Sequence, residues 1–375
     1  MNTTRRSKAR AAVFHTPGKP LELCEFALPV LQAGEALVEI TCSTICGSDL
    51  HTIRGDRPVA GPTVLGHEMI GRIAELSASG SKLCDVAETP LEIGDRVTWS
   101  VAASCGKCFF CDHGLPQKCE QLFKYGHETT NRSALSGGLA KFCHLIRGTA
   151  IVKVPDSLSD HVACPANCAT ATVAAAVRTA GGCQDQTVVI HGAGMLGLTT
   201  AAMAATQGAA SVIVSDLSEQ RLVRARDFGA TNTVDVREDP SALSEATRDV
   251  TSGRGVDLIF EMSGAPFAIE QSIELLRVGG QLVLVGSVFP TRAAQMLPEQ
   301  IVRKLLRIDG VHNYTPANLT AAIDFLIKAS NTYPFESLVD VEFTLEDVND
   351  GVDALAAKDA VRAAVRPQVG HTRRV

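Results

Sequence analysis

The sequence predicts an α/β protein in which a mostly β segment precedes a doubly wound parallel sheet. Up to about residue 155, short β-branched runs alternate with glycine-containing turn signals. From residue 187 onward, apolar strand-like runs alternate five times with helical segments. The 375-residue chain amounts to roughly 2.5 domains at a typical size of about 150 residues, so one small module is excluded.

The predicted elements follow in chain order. Residues 36–41 and 94–98 are predicted strands of the first segment. The parallel sheet is expected to take strands from 187–191, 211–215, 232–236, 256–260 and 281–285. A helix near 299–306 and a sixth strand near 307–311 would complete that sheet. The remainder has a helix-like piece at 319–329 and β-like residues at 338–344, so it could return to the first domain.

Composition and charge are those of a globular protein that does not bind nucleic acid. Apolar residues make up 45 % of the chain and charged residues 20 %, which is enough apolar material for a buried core. There are 35 Lys and Arg residues against 41 Asp and Glu residues, a formal net charge of −6. A negative protein is poorly suited to neutralising phosphate backbones.

The sequence predicts neither a membrane span nor an export signal. The longest nearly uncharged stretch, 188–206, contains three glycines and changes from strand-like to helical midway, as a buried strand–helix unit does. The basic residues Arg5, Arg6, Lys8 and Arg10 are not followed by the apolar run of a signal peptide. Twelve cysteines in such a chain favour metal sites over disulfides and indicate a cytoplasmic protein.

A glycine motif predicts a dinucleotide site. Gly192, Gly194 and Gly197 form G-x-G-x-x-G directly after the strand at 187–191 and at the start of an Ala-rich helix. Gly192 permits the tight turn, Gly194 lets the backbone approach a pyrophosphate, and Gly197 lets the helix pack on the strand. The first helical turn, which includes Met195 and Leu196, offers backbone amides to the anion.

Asp216 sets the expected cofactor. It ends the second strand of the parallel sheet, where its carboxylate could bind both ribose hydroxyls of an adenosine and repel a 2′-phosphate. This favours NAD over NADP, although Arg221 and Arg224 follow closely in the sequence.

Four closely spaced cysteines predict a structural zinc site. Cys105, Cys108, Cys111 and Cys119 follow the pattern C-x2-C-x2-C-x7-C. Four thiolates satisfy tetrahedral Zn²⁺ and leave no open coordination position. An iron–sulfur cluster is the competing interpretation, but ferredoxin runs place the fourth cysteine nearer and follow it with proline, whereas Glu120 follows Cys119.

A second set of potential ligands is dispersed along the chain. It comprises Cys46 in the run CGSDLH, His67 and Glu68 in the run GHE-x-x-G, and Cys168. Sequence spacing alone does not bring these residues together. Taken singly, Cys46 and Cys168 are more often small buried hydrophobes, and His67 an ordinary core or loop histidine.

These motifs resemble the zinc-dependent medium-chain alcohol dehydrogenases. CGSDLH, GHE-x-x-G, GDRV, the four-cysteine run, Cys168, GAGMLG and Asp216 occur in the family's order. The resemblance implies a GroES-like catalytic domain formed by residues 1–170 and 312–375. It also implies an NAD-binding Rossmann domain at 171–311 between them, with the active site in the cleft where the two domains meet.

The resemblance further implies a catalytic zinc in addition to the structural zinc, hence two zinc ions per chain. Cys46, His67 and Cys168 would ligate it, with Glu68 beside it as an occasional ligand, and one position would stay open for water or substrate. Asp49 would orient His67 through the ring nitrogen that does not bind the metal.

The implied reaction transfers a hydride between a small alcohol and NAD, which gives an aldehyde or ketone. Ser48 would take the hydroxyl proton and relay it through the nicotinamide ribose to His51 at the surface. In this family a strand near 307–311 pairs across a two-fold axis, so a homo-oligomer, a dimer or a tetramer, is expected.

The substrate is less directly encoded. Gly47 stands where some alcohol dehydrogenases carry a basic residue, so the chain resembles the polyol and threonine dehydrogenase branches more than the ethanol enzymes. Residues 124–128 and 167–178 resemble the phosphonate-catabolism-associated branch, which implies an anionic alcohol such as a hydroxyalkylphosphonate. Candidate cations for such a substrate are Arg54, Arg57, Lys124, His127 and His312.

Two rival classes stay open at this point. A zinc-free reductase of the same superfamily would share the fold, but it gives no reason for either zinc motif. A non-catalytic NAD-binding protein stabilised by zinc would need only the four-cysteine run, and it gives no reason for Cys46, His67, Ser48 and His51 to occur together. Two, one or no zinc ions per chain separate the three alternatives.

Overall fold

The structure is a computed structural model that describes residues 8–80, 82–239, 241–357 and 361–367. The strands, in chain order, are β1 (Lys8–Phe14), β2 (Glu22–Ala27), β3 (Ala36–Ile45), β4 (Thr63–Val64), β5 (Glu68–Leu76), β6 (Arg96–Ala103), β7 (Phe123–Lys124), β8 (Phe142–Leu145), β9 (Thr149–Lys153), β10 (Thr187–His191), β11 (Ser211–Asp216), β12 (Asn232–Asp235), β13 (Val256–Glu261), β14 (Leu276–Leu284), β15 (Arg307–Gly310), β16 (Val341–Thr344) and β17 (Ala363–Arg366). The helices are α1 (Gly47–Arg54), α2 (Phe109–Asp112), α3 (Asp160–Ala163), α4 (Ala169–Ala180), α5 (Met195–Thr206), α6 (Glu219–Asp227), α7 (Ala242–Thr251), α8 (Pro266–Leu275), α9 (Pro298–Arg303), α10 (Pro316–Ala329) and α11 (Val348–Ala356). Short 3₁₀ helices cover Pro116–Lys118, Cys164–Asn167 and Phe335–Leu338.

The chain divides into two compact units. Unit 1 covers the described residues of Met1–Cys168, Thr315–Leu326 and Phe335–Val375, and unit 2 covers those of Ala169–Tyr314 and Ile327–Pro334. The basic residues Arg5 and Arg6 and the tail from Gln368 lie outside the described residues. Among the helices of the described ranges, none combines the length and the apolar character needed to cross a bilayer.

Unit 2 contains a six-stranded sheet in the order β12-β11-β10-β13-β14-β15, and all of its neighbouring strands are parallel. This is the strand order of a doubly wound dinucleotide-binding fold, so the fold predicted for this part of the chain is confirmed. Every residue of β11 is buried, as expected for a strand covered by helices on both faces. The predicted strand at 281–285 is longer than expected, because β14 already begins at Leu276.

Unit 1 is mostly β, as predicted. Its main sheet runs β16-β17-β3-β5-β6-β7, with β8 beside β3 and β9 beside β6. The C-terminal strand β17 pairs antiparallel with β3, so the end of the chain returns to this unit. Trp99 and Tyr125 are fully buried in its core, with ring centroids 6.4 Å apart. Alternate apolar residues of β3 and β6 face inward and form part of this core.

His191, the last residue of β10, is buried among hydroxyl groups. Its Nδ1 lies 3.0 Å from Ser215 Oγ and its Nε2 lies 3.1 Å from Ser272 Oγ. The Ser272 hydroxyl is also 2.6 Å from the Ala268 carbonyl oxygen, to which it can donate. Burial lowers the pKa of His191 to about 4, so the folded protein holds this imidazole neutral.

This buried histidine makes stability depend on pH. Between its folded pKa and the ordinary value of about 6.5, the unfolded chain binds a proton that the folded chain does not. The His191 contribution is therefore fully present above about pH 6.5 and is lost as the pH falls toward 4, by on the order of 3 kcal/mol in total. Denaturant unfolding between pH 7 and pH 4 should show a smaller loss of stability for His191→Gln than for the native protein.

The matched control is His113→Gln, which replaces an exposed histidine and should keep the native pH dependence. If the native protein and His191→Gln lost the same free energy of unfolding between pH 7 and pH 4, the neutral state assigned to His191 would be contradicted. Because both proteins contain the same cysteine clusters, any effect of acid on metal binding cancels in the comparison.

Candidate functional site

The four-cysteine run forms a compact cluster between β6 and β7. The sulfur atoms of Cys105, Cys108, Cys111 and Cys119 all lie within 4.8 Å of one another. Cys108 Sγ is 3.5 Å from Cys111 Sγ and 3.8 Å from Cys119 Sγ. Four sulfurs at about 2.3 Å from a central Zn²⁺ are separated by about 3.8 Å in a regular tetrahedron. The cluster therefore has the dimensions of a closed zinc–thiolate site.

Backbone amides surround two sulfurs of this cluster, with opposite net effects. The amides of Cys105 and Gln121 lie 3.2 and 3.3 Å from Cys119 Sγ, but burial outweighs them and raises the pKa of Cys119 to about 11. Hydrogen bonds from the Glu120 and Cys111 amides lower the pKa of Cys108 to about 6. Thiolates are the form that binds metal, so the local backbone prepares Cys108 for a cation.

The dispersed ligands also converge, and all of them belong to unit 1. Cys46 follows β3, His67 directly precedes β5, and Cys168 follows the 3₁₀ helix Cys164–Asn167. The antiparallel pairing of β3 with β5, with Thr44 opposite Glu68, places the first two side by side. The ligand atoms of Cys46, His67 and Cys168 lie within 4.8 Å of one another.

Helix α1 supplies the residues that surround His67. The Asp49 carboxylate accepts a hydrogen bond of 2.9 Å from the Cys46 amide, and its Oδ1 lies 3.2 Å from His67 Nδ1. That second contact lacks hydrogen-bond alignment, and His67 Nδ1 has no other partner among the described residues. On the opposite side of the ring, Ser48 Oγ lies 3.3 Å from His67 Nε2. Nδ1 therefore faces the Asp49 carboxylate, and Nε2 has the Ser48 hydroxyl beside it.

Thiolate character is also favoured at the second cluster. A hydrogen bond from Cys168, followed by the positive charge of Arg362, lowers the pKa of Cys46 well below its ordinary value. The same hydrogen bond and burial raise the pKa of Cys168. The thiolate is therefore favoured at Cys46 and the protonated thiol at Cys168, and a bound metal ion would favour the thiolate at both.

Glu68 lies beside the ligands but is held by other partners. It is fully buried, and its carboxylate accepts hydrogen bonds from Thr44 Oγ1 at 2.6 Å and Arg362 Nη2 at 3.0 Å. Burial raises the pKa of Glu68 to about 7, although the charge of Arg362 opposes that rise. Glu68, the predicted occasional ligand, thus forms a salt bridge with Arg362 in this structure.

Three residues of this site were not found by sequence reasoning. Arg362 donates to Glu68 and lies 3.4 Å from Cys46 Sγ, and Thr44 holds the other Glu68 oxygen. The side-chain amide nitrogen of Asn167, Nδ2, donates to the His67 carbonyl oxygen at 3.1 Å and to the Trp99 carbonyl oxygen at 2.9 Å. Arg362 directly precedes an apolar run, which hints at partial burial, but no sequence pattern names its partner.

The donor chemistry of the second cluster fits zinc. Two thiols and one imidazole are borderline-soft ligands that Zn²⁺ prefers, and three protein ligands leave the fourth tetrahedral position open. The separations of at most 4.8 Å require only small side-chain adjustments around one ion. Two cysteine sites, one closed and one open, thus lie in unit 1.

Basic side chains gather near the second cluster. Burial and then the charge of Arg57 lower the pKa of Lys124 to about 8, and Arg57 in turn interacts with Asp49, Cys46 and Cys168. The His127 ring centroid lies 5.5 Å from that of His67. Within the described ranges, neither the Arg57 guanidinium nor the Lys124 ammonium forms an ion pair.

The other two candidate cations are Arg54 and His312. Arg54 is exposed and its guanidinium donates to the Ala356 carbonyl oxygen at 3.4 Å. His312 belongs to unit 2. Of the five residues suggested by the sequence, the structure brings Arg57, Lys124 and His127 together within unit 1. Burial, followed by the charge of His67, lowers the pKa of His127 well below its ordinary value, so Arg57 and Lys124 are the cations of this group.

The glycine motif forms the turn between β10 and α5 in unit 2. Gly192 has a φ of +96° and a Cβ there would meet Ser263 at 3.1 Å, so only glycine fits without strain. A Cβ on Gly197 would lie 1.7 Å from the Gly192 carbonyl oxygen. At Gly194, by contrast, a Cβ would project into open space.

This turn fits a dinucleotide. Gly194 is the N-cap of α5 and has no side chain that could accept hydrogen bonds from the first turn. The amides of Met195, Leu196 and Gly197 lie in that turn, where no intrahelical acceptor exists. The open space at Gly194 is where a pyrophosphate would approach these amides.

Asp216 is hydrogen-bonded to the backbone of the glycine turn. Its Oδ2 accepts a hydrogen bond of 2.7 Å from the Ala193 amide and its Oδ1 accepts one of 2.9 Å from the Ser218 amide. The Arg221 guanidinium lies 4.0 Å from Asp216 Oδ2, with half of its side chain exposed. The carboxylate is thus fixed at the end of β11, beside the glycine turn.

Comparison with known proteins shows the family to which this chain is similar. Residues 32–156 match the family model of the alcohol dehydrogenase GroES-like domain, and residues 196–328 match that of the zinc-binding dehydrogenases. A sorbitol dehydrogenase of Halalkalibacterium halodurans is 30 % identical over 333 residues, which cover 88 % of this chain and 91 % of the relative. An L-threonine 3-dehydrogenase of Pyrococcus horikoshii is 30 % identical over 313 residues, covering 81 % and 83 %.

Solved structures give the same result. An alcohol dehydrogenase from Thermotoga maritima superposes with a TM-score of 0.91 at 29 % identity, over 96 % of this chain and all of that one. The likeness extends along nearly the whole chain, so it covers residues of both units. This chain accordingly belongs to the zinc-dependent medium-chain alcohol dehydrogenase family and is an oxidoreductase.

Proposed function

We propose that this enzyme oxidises a small alcohol to an aldehyde or ketone at a zinc ion held by Cys46, His67 and Cys168, with NAD as hydride acceptor. The observation that carries the proposal is the convergence of these three ligands within 4.8 Å, beside the hydroxyl of Ser48. A zinc-stabilised protein without catalytic activity would have no use for a second cluster with an open coordination position. The four-cysteine cluster is the structural site in this proposal.

Bound zinc would lower the pKa of an alcohol hydroxyl, so that the proton can leave near neutral pH. Ser48 Oγ, 3.3 Å from His67 Nε2, is the proposed acceptor of that proton, because it is the hydroxyl beside the ligand atoms. It would pass its own hydroxyl proton on, through the ribose of the bound nicotinamide, toward His51. His51 lies one helical turn further along α1, and its Nδ1 is 3.0 Å from Asp56 Oδ2. With about two-fifths of its side chain exposed, His51 is the group proposed to release the proton to water.

Asp49 is a positioning residue in this proposal. It does not contact the substrate but holds the Cys46 amide and lies against His67 Nδ1, which leaves Nε2 for the metal. Glu68 remains a proposed occasional ligand. To reach a metal ion its carboxylate would have to give up the hydrogen bonds from Thr44 and Arg362.

Asp216 is the proposed determinant of cofactor choice. Its carboxylate lies beside the glycine turn, where the adenosine ribose of a bound dinucleotide would reach it, and its negative charge disfavours a 2′-phosphate. Arg221, 4.0 Å from that carboxylate, neutralises part of the charge. We therefore propose a preference for NAD that is held by one acidic side chain.

The substrate is proposed to carry an anionic group, with hydroxyalkylphosphonates as the class suggested by the sequence. Arg57 and Lys124 support this proposal, because both are partly buried near the ligands and neither has an ion-pair partner within the described residues. A buried cation without a partner is costly, and a substrate anion would supply the partner.

A second candidate is a polyol or a threonine-type substrate. A sorbitol dehydrogenase and an L-threonine 3-dehydrogenase among the relatives favour it, and each is 30 % identical to this chain. In this alternative Arg57 and Lys124 remain hydrated cations at the mouth of the site.

We also propose that the enzyme is a cytoplasmic homo-oligomer, a dimer or a tetramer. β15 is an edge strand of the parallel sheet in unit 2, and its residues are partly or fully exposed. Pairing with the same strand of a second copy would cover its unpaired backbone groups.

The zinc proposal predicts that Cys46→Ser removes one of two zinc ions and nearly all turnover but leaves NADH binding intact. The reason is that Cys46 belongs to unit 1 and the glycine motif to unit 2. Zinc content per chain, alcohol oxidation and NADH fluorescence titration are the measurements. Cys84→Ser, at a partly buried thiol outside the clusters, is the control and should behave like the native enzyme. Full activity in Cys46→Ser protein that has lost that zinc would refute the proposal.

The cofactor proposal predicts that native enzyme prefers NAD⁺ over NADP⁺ in kcat/KM by at least about tenfold, and that Asp216→Ser weakens or reverses the preference. Removing the carboxylate removes the charge that opposes the 2′-phosphate. Asp227→Ser, at an exposed aspartate of α6, should keep the native ratio. A native enzyme that uses NADP⁺ equally well or better would instead assign cofactor choice to Arg221 or Arg224.

The substrate proposal predicts a margin of at least about tenfold in kcat/KM for an anionic alcohol over a neutral isostere of equal length. A charged hydrogen bond to a buried anion contributes on the order of 1.5 to 3 kcal/mol. A panel of hydroxyalkylphosphonates, polyols, L-threonine and simple alcohols measures this margin, and Lys124→Met should abolish it. Arg54→Gln, at the exposed arginine bonded to Ala356, should not change it. Faster turnover of neutral polyols than of every anionic alcohol would favour the polyol alternative.

A further inference from the structure

A third group of metal-ligating side chains lies on the hairpin of β1 and β2, outside both cysteine sites. It consists of His15, Glu22 and Cys24, whose ligand atoms all lie within 4.8 Å of one another. The geometry points to a third, solvent-accessible site for a divalent transition cation such as Zn²⁺ on this hairpin.

Strand register brings the three residues together. In the antiparallel pair β1–β2, Ala11 lies opposite Cys24 and Val13 lies opposite Glu22. Side chains of directly opposed residues share one face of a sheet, and so do residues two positions apart on one strand. Glu22 and Cys24 are therefore on one face, and His15 follows Val13 by two positions at the end of β1.

The side chains are already close to a ligating arrangement. His15 Nε2 lies 3.1 Å from Glu22 Oε2, a separation that two ligands of one metal ion also have. Cys24 packs against a buried apolar cluster that includes Ala11 and Val13, which limits the positions of its sulfur. The side chains of His15 and Glu22 are 44 % and 68 % exposed, so ions can reach the site and water can complete the coordination.

The donor set selects the kind of ion. One imidazole nitrogen, one carboxylate oxygen and one sulfur suit Zn²⁺, Co²⁺ or Ni²⁺, whereas Mg²⁺ and Ca²⁺ require oxygen ligands. Three ligands on a two-stranded hairpin form an open site, which should exchange its ion more readily than the closed four-cysteine cluster. A bound ion would clamp the turn between β1 and β2.

The site is independent of the proposed catalytic function. The three residues precede residue 32, where the match to the family model begins. None of them contacts Cys46, His67 or Cys168 through the hydrogen bonds and ion pairs described above. Their replacement should therefore leave alcohol oxidation unchanged, which separates a failure of this site from a failure of the catalytic zinc.

Calorimetric titration of the holoenzyme with ZnCl₂ tests the site directly. Zinc as titrant gives no net binding at sites that already hold zinc, so one further equivalent per chain is expected. Cys24→Ser, His15→Gln and Glu22→Gln should each raise the Kd of that equivalent by at least about tenfold, with native activity retained. Cys84→Ser should leave the Kd unchanged. Absence of a further equivalent, or an unchanged Kd in both Cys24→Ser and His15→Gln, would overturn the proposal.

Discussion

A buried ion pair between Glu68 and Arg362, at 3.0 Å, is the interaction on which the rest of unit 1's site depends. Glu68 begins β5 and Arg362 precedes β17, and both strands pair with β3, the strand that leads into Cys46. The pair thus joins three chain segments at the point where the metal ligands leave the sheet. Removing one partner would leave the other as an uncompensated buried charge, which typically costs about 3 to 5 kcal/mol.

Charge balance explains why this arrangement calls for a cation. Asp49, Glu68 and the two thiols of Cys46 and Cys168 bring several potential negative charges into one buried region, where Arg362 and His67 are the compensating cations. Burial opposes protonation of His67, but the negative charge of Asp49 raises its pKa to about 10. Without a metal, the hydrogen bond with Cys46 and burial raise the pKa of Cys168, which keeps this thiol protonated and reduces that charge. With a dication, two thiolates become favourable. Arg57 and Lys124 add positive charge near the same region.

The sequence predicted the features that depend on the spacing of neighbouring residues in the chain. It did not predict the contacts that depend on the pairing register of distant strands. The parallel sheet followed from strand–helix alternation, and the four-cysteine cluster followed from a run of fifteen residues, because both are encoded by neighbours in the chain. Cys46 and Cys168 lie far apart in sequence, so only family resemblance associated them. Arg362 and Thr44 were missed because their roles arise from the pairing of β17 and β5 with β3. The proton path through Ser48 and His51, the oligomeric state and the substrate stay predictions.

Anomalous diffraction at the zinc absorption edge from crystals of the purified enzyme tests the central claim most directly. That claim is that Glu68, Arg362 and Asp49 hold Cys46, His67 and Cys168 ready for one zinc ion. The expected map has one peak in the four-cysteine cluster and a second about 2.3 Å from the sulfurs of Cys46 and Cys168 and about 2.1 Å from His67 Nε2. A second peak that is missing, or one bound by His67 Nδ1 with Asp49 displaced, would contradict it.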